Sequence, residues 1–333
     1  MKYKVCVHCI TYNQKEYVID TLVGFIKQVT NFPFVCCIID DASTDGEQEI
    51  IRDFVFRNFD VSTNHGFYEK EKDYGKVIYA RHKTNHNCYF AVIFLKENHF
   101  SKGKSKDSYF SEWNKTSDYI ATCEGDDYWI DNSKLQKQSN FLDCNPDVSL
   151  CCHQYKILIQ NTGEVYRCET PLGEYNPKQE SFLFMWEDLS KYGWITKTLT
   201  LLYRKSMIDP QFFSQFKIVR DVHLVLCLLQ NGKGCFQNFI GGVYRINDKS
   251  IFGCKSNIEK RRQNYIVYKE IYDVMGWKPD LNLRASYALL FFNRIPGFKK
   301  IHSFFELRAI IYDYPIYRIR LLLNKIIRLF SIK

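Results

Sequence analysis

The sequence predicts an α/β fold built on a sheet with parallel strands, and three observations carry that prediction. Residues 34–39, FVCCII, are apolar without a break, as expected of a strand buried on both faces. Shorter runs at 4–10 and 118–123, mostly apolar, read as further strands. Between the first two lies a stretch in which Val18, Leu22, Phe25, Ile26 and Val29 recur at helical spacing.

Taken in order, residues 4–10 form a first strand, ended by the turn Thr11-Tyr12-Asn13. A helix leads to strand 34–39 and then to Asp40-Asp41-Ala42-Ser43. Thr44 and Glu47 have the spacing of a capping box at the head of a helix carrying Ile50, Ile51, Phe54 and Val55. The first sixty residues therefore read β-α-β-α. Residues 69–76, EKEKDYGK, are charged and read as a solvated loop, as does 101–108. Residues 89–95, YFAVIFL, are equally compatible with strand and helix. A third parallel strand at 118–123 runs into Glu124-Gly125-Asp126-Asp127-Tyr128-Trp129, after which Ser133 and Gln136 suggest a second capping box. Strands are expected at 197–205 and 239–246, a buried helix at 221–230, and helices from about 255 onward.

The chain has 333 residues, 46% hydrophobic and 25% charged, enough for a packed core and unlike a disordered chain. Its net charge of +9 suits a surface that meets phosphates or anionic lipid, but lacks the dense basic stripe of a nucleic-acid binder. The thirteen cysteines, with no secretory pattern at the start of the sequence, are expected to be buried thiols in a reducing cytosol. Cys6-Val7-His8-Cys9 has redox spacing, but a strand would point its two thiols to opposite faces. His82 and His86 lack the accompanying Glu of a zinc hydrolase and read as surface residues, and no dinucleotide or Walker loop occurs. Asn114-Lys115-Thr116 is treated as a chance glycosylation match.

Chemistry is expected at two acidic clusters, Asp40/Asp41 and Glu124/Asp126/Asp127, each directly after an apolar strand. In open α/β sheets ligands bind beyond the carboxyl ends of the strands, so parallel strands would bring both clusters to one rim. Carboxylates crowded there repel one another unless a cation offsets them, and an all-oxygen donor set favours Mg2+ or Mn2+. Either cluster alone also fits a plain helix cap.

These residues resemble the opening of a family 2 glycosyltransferase of the GT-A fold. Thr11-Tyr12-Asn13 matches the family's T-Y-N, and Asp40-Asp41-Ala42-Ser43-Thr44-Asp45 matches its D-D-x-S-T-D. Residues 123–138, CEGDDYWIDNSKLQKQ, resemble a branch that writes the D-x-D motif as E-G-D-D-Y-W. The resemblance covers about 4–58 and 118–250. It implies a GT-A fold, a Rossmann-like mixed sheet with flanking helices, divided as 1–130 (nucleotide-sugar half), 131–254 (acceptor half) and 255–333 (helical region). It implies that Thr11, Tyr12, Asn13 and Asp41 line the base and ribose pocket with Asp40 beside them, that Glu124 faces ribose or phosphates, that Asp126 binds the metal, and that Asp127 stands behind it or toward the acceptor. Arg220-Asp221-Val222 falls where the family places its general base, making Asp221 the candidate; the plain alternative is an N-cap. Val243-Tyr244-Arg245-Ile246-Asn247 resembles Y-R-x-H, with Asn247 in place of His and Arg245 a candidate phosphate contact.

The expected function is inverting transfer of a sugar from a nucleoside-diphosphate sugar, UDP-linked for preference, to a hydroxyl of a glycan or lipid-linked acceptor in cell-surface polysaccharide synthesis. A sugar nucleotidyltransferase would need a Gly-rich basic loop, which Thr11–Tyr17 lacks; a degenerate GT-A binding module is the non-enzymatic alternative. After Pro315, Ile316, Ile319, Leu323, Ile326, Ile327 and Phe330 share one helical arc opposite basic residues. This basic amphipathic tail suggests a peripheral place on the inner face of the membrane through 315–333, the alternative being a helix packed on the body or in a dimer.

Overall fold

The computed structural model describes residues 2–62, 66–167, 179–192, 195–247, 255–276, 281–301, 304–316, 318–319 and 322–323. They form two compact units: 1–185, 196–209 and 221–246 in the first, and 186–195, 210–220 and 247–333 in the second.

The first unit opens with β1 (Tyr3–Thr11), α1 (Val18–Ile26), β2 (Phe34–Asp40) and α2 (Glu47–Asn58). Strands β1 and β2 are parallel, with Thr11 opposite Asp40 at their carboxyl ends. The next segment gives β3 (Phe59–Asp60), β4 (Tyr68–Lys72), β5 (Gly75–His82), β6 (Cys88–Leu95), α3 (Asp107–Asn114) and β7 (Ser117–Thr122). Strand β7 is parallel to β1 on the side away from β2. The two acidic clusters are therefore on one rim, separated by β1 rather than on adjacent strands. Beyond follow β8 (Tyr128–Trp129), α4 (Lys134–Cys144), β9 (Val148–Ile159), β10 (Val165–Arg167) and β11 (Ser181–Phe184). In the second unit lie α5 (Trp186–Tyr192) and α6 (Pro210–Phe213). The first resumes with β12 (Leu202–Arg204), α7 (Asp221–Asn231) and β13 (Lys233–Ile246). The sheet order is β11-β13-β9-β12-β7-β1-β2-β6-β5-β3, mixed in direction, with β4 on β5, β10 on β9 and β8 on β13.

Strand alternation explains the burial of both faces. On one face Val5, Val7, Cys9 and Ile38 pack with Val18, Leu22 and Phe25 of α1, Ile51 and Val55 of α2, and Leu135 of α4. On the other, Cys6, Val35, Cys37 and Ile39 meet Phe110 and Trp113 of α3. Each fully buried Phe, Ile or Leu among them contributes roughly 1.5–3 kcal/mol. Cys6 and Cys9 thus face opposite cores as free thiols.

Several local expectations change. The apolar run 89–95 is strand β6, buried throughout. The charged stretch 69–76 forms a hairpin rather than a loop: Lys76 lies 3.4 Å from both Glu69 and Glu71, and the charges keep a sheet edge in water. Neither expected capping box forms. Gly46, at φ 93°, precedes α2, and Glu47 turns inward instead. Ser133 bonds Asp131, and Gln136 accepts the Asn31 N–H. The residues 197–205 give a 3-10 turn, Thr198–Thr200, before the short β12. His82 is buried, and its Nδ1 accepts the Asn85 N–H at 2.9 Å.

The second unit is helical and has its own core of Tyr265, Tyr287, Leu290, Phe298 and Ala309. In it α8 (Asn257–Met275) starts at a Ser256–Glu259 capping box and stops at Gly276, whose φ of 65° suits glycine. Next come α9 (Leu281–Phe292), α10 (Phe304–Arg308) and a π-helical turn, Ala309–Asp313. Most of the expected amphipathic tail, including 324–333, lies outside the described residues. Among the described residues no helix is long and apolar enough to cross a membrane.

Candidate active site

The carboxyl ends of β2, β1 and β7 deliver three loops to one place. The turn after β1 carries Thr11, Tyr12 and Asn13. Asn13 adopts φ 54°, a left-handed conformation Asn tolerates better than most residues. Its Oδ1 accepts the Thr44 N–H at 2.8 Å, and its own N–H donates to Ser43 Oγ at 2.9 Å. Thr11 Oγ1 donates to Gln14 Oε1 at 2.8 Å and to Glu47, whose other oxygen accepts the Gln14 N–H at 2.7 Å. Glu47, absent from the sequence-based site, is therefore the bracket between the first two loops. Burial pushes its carboxyl up to about 7, against the bonds from Thr11, Gln14 and Ser43 and with the Asp40 charge adding. Tyr12 stands exposed beside this bracket.

The two aspartates after β2 differ. Asp40 is fully buried; Oδ1 accepts from the Ser43 N–H at 3.0 Å and from Gln48, while Oδ2 has no partner. Burial raises its pKa, opposed by the Ser43 and Gln48 bonds. Asp41 turns to the loop after β6. Its carboxylate accepts the N–H groups of His99 (2.7 Å) and Phe100 (3.0 Å) and pairs with Lys106 at 2.9 Å. Burial works against its charge, but these donors outweigh it and hold the carboxyl below its usual range. Asp41 is thus already saturated, a placement that its position in the motif did not reveal.

The loop after β7 holds the acidic cluster. One oxygen each of Glu124, Asp126 and Asp127 lies within 4.8 Å of the others. Thr21 of α1 fastens the loop by donating to the carbonyls of Gly125 (2.9 Å) and Asp127 (2.6 Å). Arg245 of β13 fastens it from behind. Its N–H meets Asp127 Oδ1 at 2.8 Å, its Nε meets the Asp126 carbonyl at 2.9 Å, and its other nitrogens reach Gln160 and, at 2.6 Å, Asp20. The guanidinium also lies over Tyr17 and Tyr128. Here the arginine expected at phosphate is spent on the loop.

Asp127 Oδ2 is buried and unpartnered. Burial, then the charges of Asp126 and Glu124, hold Asp127 well above the usual carboxylate range. Glu124 is open to solvent on one side. Crowding by protein on the others, then the like charges of Asp126 and Asp221, push it up to about 7, with Lys197 opposing. Three crowded carboxylates, one of which keeps a buried unpartnered oxygen, fit a hard divalent cation such as Mg2+ or Mn2+.

Asp221 is the first residue of α7 and is exposed; its Oδ1 accepts the Val222 N–H at 2.9 Å, and its charge reaches Glu124. Lys197 and Tyr244, neither assigned a role from sequence, complete the surround. The Lys197 ammonium lies 4.3 Å from the Tyr244 ring centroid. Burial and then the charges of Asp127, Glu124, Asp126 and Asp221 raise the Tyr244 phenol. A single lysine in the stretch WITKTLTLLY carries no motif that would have found it.

Residues 6–88 match the model of the family described as Glycosyl transferase family 2. The uncharacterized proteins Rv1520 of Mycobacterium tuberculosis and Mb1547 of Mycobacterium bovis are each 32% identical over 158 residues, 46% of this chain and 35% of theirs. The match thus spans about a third of the length of those relatives. Among solved structures, residues 1–349 of Staphylococcus aureus TarS, in complex with UDP-GlcNAc, superpose with a TM-score of 0.51 at 15% identity, covering 93% of this chain and 79% of that one. The fold is therefore the GT-A fold of glycosyltransferases, as the sequence led us to expect.

Proposed function

We propose that this chain is a glycosyltransferase that moves a sugar, with inversion, from a nucleoside-diphosphate sugar to a hydroxyl of a glycan or lipid-linked acceptor in cell-surface polysaccharide synthesis. The observation that carries the proposal is the acidic loop Glu124–Asp127 at a strand end, with the charge of Asp221 reaching it. The family 2 match over 6–88 supports the donor half, and the UDP-GlcNAc bound to TarS supports a UDP-linked donor.

In this reading Thr11, Tyr12, Asn13 and Asp40 border the base and ribose, and Asp41 shapes that border by holding the 98–106 loop. Asp126, with Glu124 and Asp127 beside it, holds Mg2+ or Mn2+. The ion would supply charge neutralisation for the departing diphosphate. Asp221 takes the proton of the acceptor hydroxyl while the acceptor's oxygen bonds to the anomeric carbon. The bond from that carbon to the phosphate oxygen breaks, and the nucleoside diphosphate leaves with the electron pair. At the start of α7 the helix field favours the ionised form a base requires. Residues 131–254 would meet the acceptor and 315–333 an anionic membrane surface.

The test is thermal stabilisation by UDP, GDP, CDP and ADP, with and without Mn2+, on the wild type and on Asp126→Ala. We expect one nucleotide to raise Tm by several degrees with Mn2+, as ligand well above its Kd should, and Asp126→Ala to abolish the effect. A wild type indifferent to every nucleotide would overturn the proposal in favour of a non-catalytic GT-A module.

A further inference from the structure

The acid loop carries three carboxylates, Glu124, Asp126 and Asp127, and the charge of a fourth, Asp221, reaches it. A nucleoside diphosphate would add negative charge to this place and gain more as the glycosidic bond to phosphate breaks. One divalent cation leaves that balance negative, so the site needs a further positive group aimed at it. Arg245 is occupied by Asp20, Gln160 and the Asp126 carbonyl, and Lys106 by Asp41.

Lys197 is placed differently. The turn that follows it is bonded to both flanks of the acid loop. Thr122 Oγ1 donates to the Thr198 carbonyl at 2.6 Å, just before Glu124, and Trp129 Nε1 donates to the Leu199 carbonyl at 2.9 Å, just after Tyr128. Tyr244 is fixed to the same loop through its neighbours: Val243 pairs with Tyr128, and the Arg245 N–H meets Asp127. Lys197 rests on the Tyr244 ring, half-buried, and among the described residues its ammonium makes no ion pair. An ammonium held over a ring loses less freedom on meeting an anion than a free lysine does. Its charge already acts on Glu124 and Asp127.

We infer that Lys197, carried on the Tyr244 ring beside the acid loop, is the residue that receives the donor's diphosphate in the role expected of Arg245. This rests on the glycosyltransferase reading, and the experiment separates the two. Calorimetric titration of UDP, with GDP alongside, is made at saturating Mn2+ on the wild type, Lys197→Met, Lys197→Arg and Tyr244→Leu, and the Tm of each is taken without ligand. Lys197→Met should weaken nucleoside-diphosphate binding at least tenfold with an unchanged Tm, Lys197→Arg should recover most of it, and Tyr244→Leu should weaken it by a smaller factor. If the wild type binds and Lys197→Met binds equally well, the inference falls and the broader reading stands. If Lys197→Met loses binding only along with its Tm, and Lys197→Arg rescues neither, Lys197 is structural and the inference also falls. A wild type that binds neither nucleotide removes both.

Discussion

Thr11 and Gly125 are in contact across the two motif loops: a methyl group on Gly125 would lie 2.2 Å from Thr11 Oγ1 and 2.5 Å from Gln14 Oε1. The Gly125 N–H also donates to the Ile10 carbonyl at 3.2 Å. The glycine in E-G-D-D is thus the point where the two motif loops close on each other. It follows that Gly125→Ala must push the acid loop off the Thr11 turn. We expect destabilisation of about 1–3 kcal/mol, typical of overpacking, and at least a tenfold loss of Mn2+-dependent nucleotide binding. Urea unfolding and calorimetry on the variant check both; binding at the wild-type level would show that the contact is not needed.

Asp221→Asn separates chemistry from binding. Asn retains an oxygen for the Val222 N–H, so the start of α7 survives. Loss of the base should lower kcat by about 10²–10⁴, with UDP affinity unchanged. Turnover of the donor that the stabilisation panel selects is the measurement, and an undiminished kcat would return Asp221 to the status of a plain cap.

Glu47 predicts a pH dependence. Its carboxyl is raised by burial from the ordinary 4.5 to about 7 in the folded chain. The folded state therefore binds the extra proton, so stability is full below pH 4.5 and is lost as pH rises through 7. The shift sets a ceiling of roughly 3 kcal/mol on that loss. Glu47→Gln, which mimics the protonated form, should match the wild type at pH 4.5 and exceed it at pH 8, by about 1–3 kcal/mol. Urea midpoints at both pH values decide it: an equal difference between the two proteins at both would contradict the shift.

Much of the frame was legible because burial on two faces leaves a mark in sequence. The run 34–39 is apolar throughout, since its two faces meet the two cores, while 118–123 buries Tyr119, Ala121 and Cys123 in one of them and leaves Asp118 exposed. That mark was ambiguous at 89–95, where strand and helix bury the same residues, and only pairing with Phe34–Asp40 settles it as a strand. It failed at 69–76, where a charged hairpin is held by its pairing to the next strand rather than by apolar pattern.

The sequence by itself determined that Asp40, Asp41, Glu124, Asp126 and Asp127 sit at strand ends, because the strands that precede them carry their own apolar signature. The tertiary structure alone decided what each acid does there. Asp41 is neutralised by a loop 58 to 65 residues away in the chain, while Asp40 and Asp127 each keep a buried oxygen free. Glu47, expected to cap a helix, joins two loops instead, and Arg245 reaches 225 residues back to Asp20. The physical reason is range. Hydrophobic periodicity is a local property that the chain displays along its length, whereas the charge and hydrogen-bond partners of a side chain are set by whatever distant segment the sheet order brings beside it.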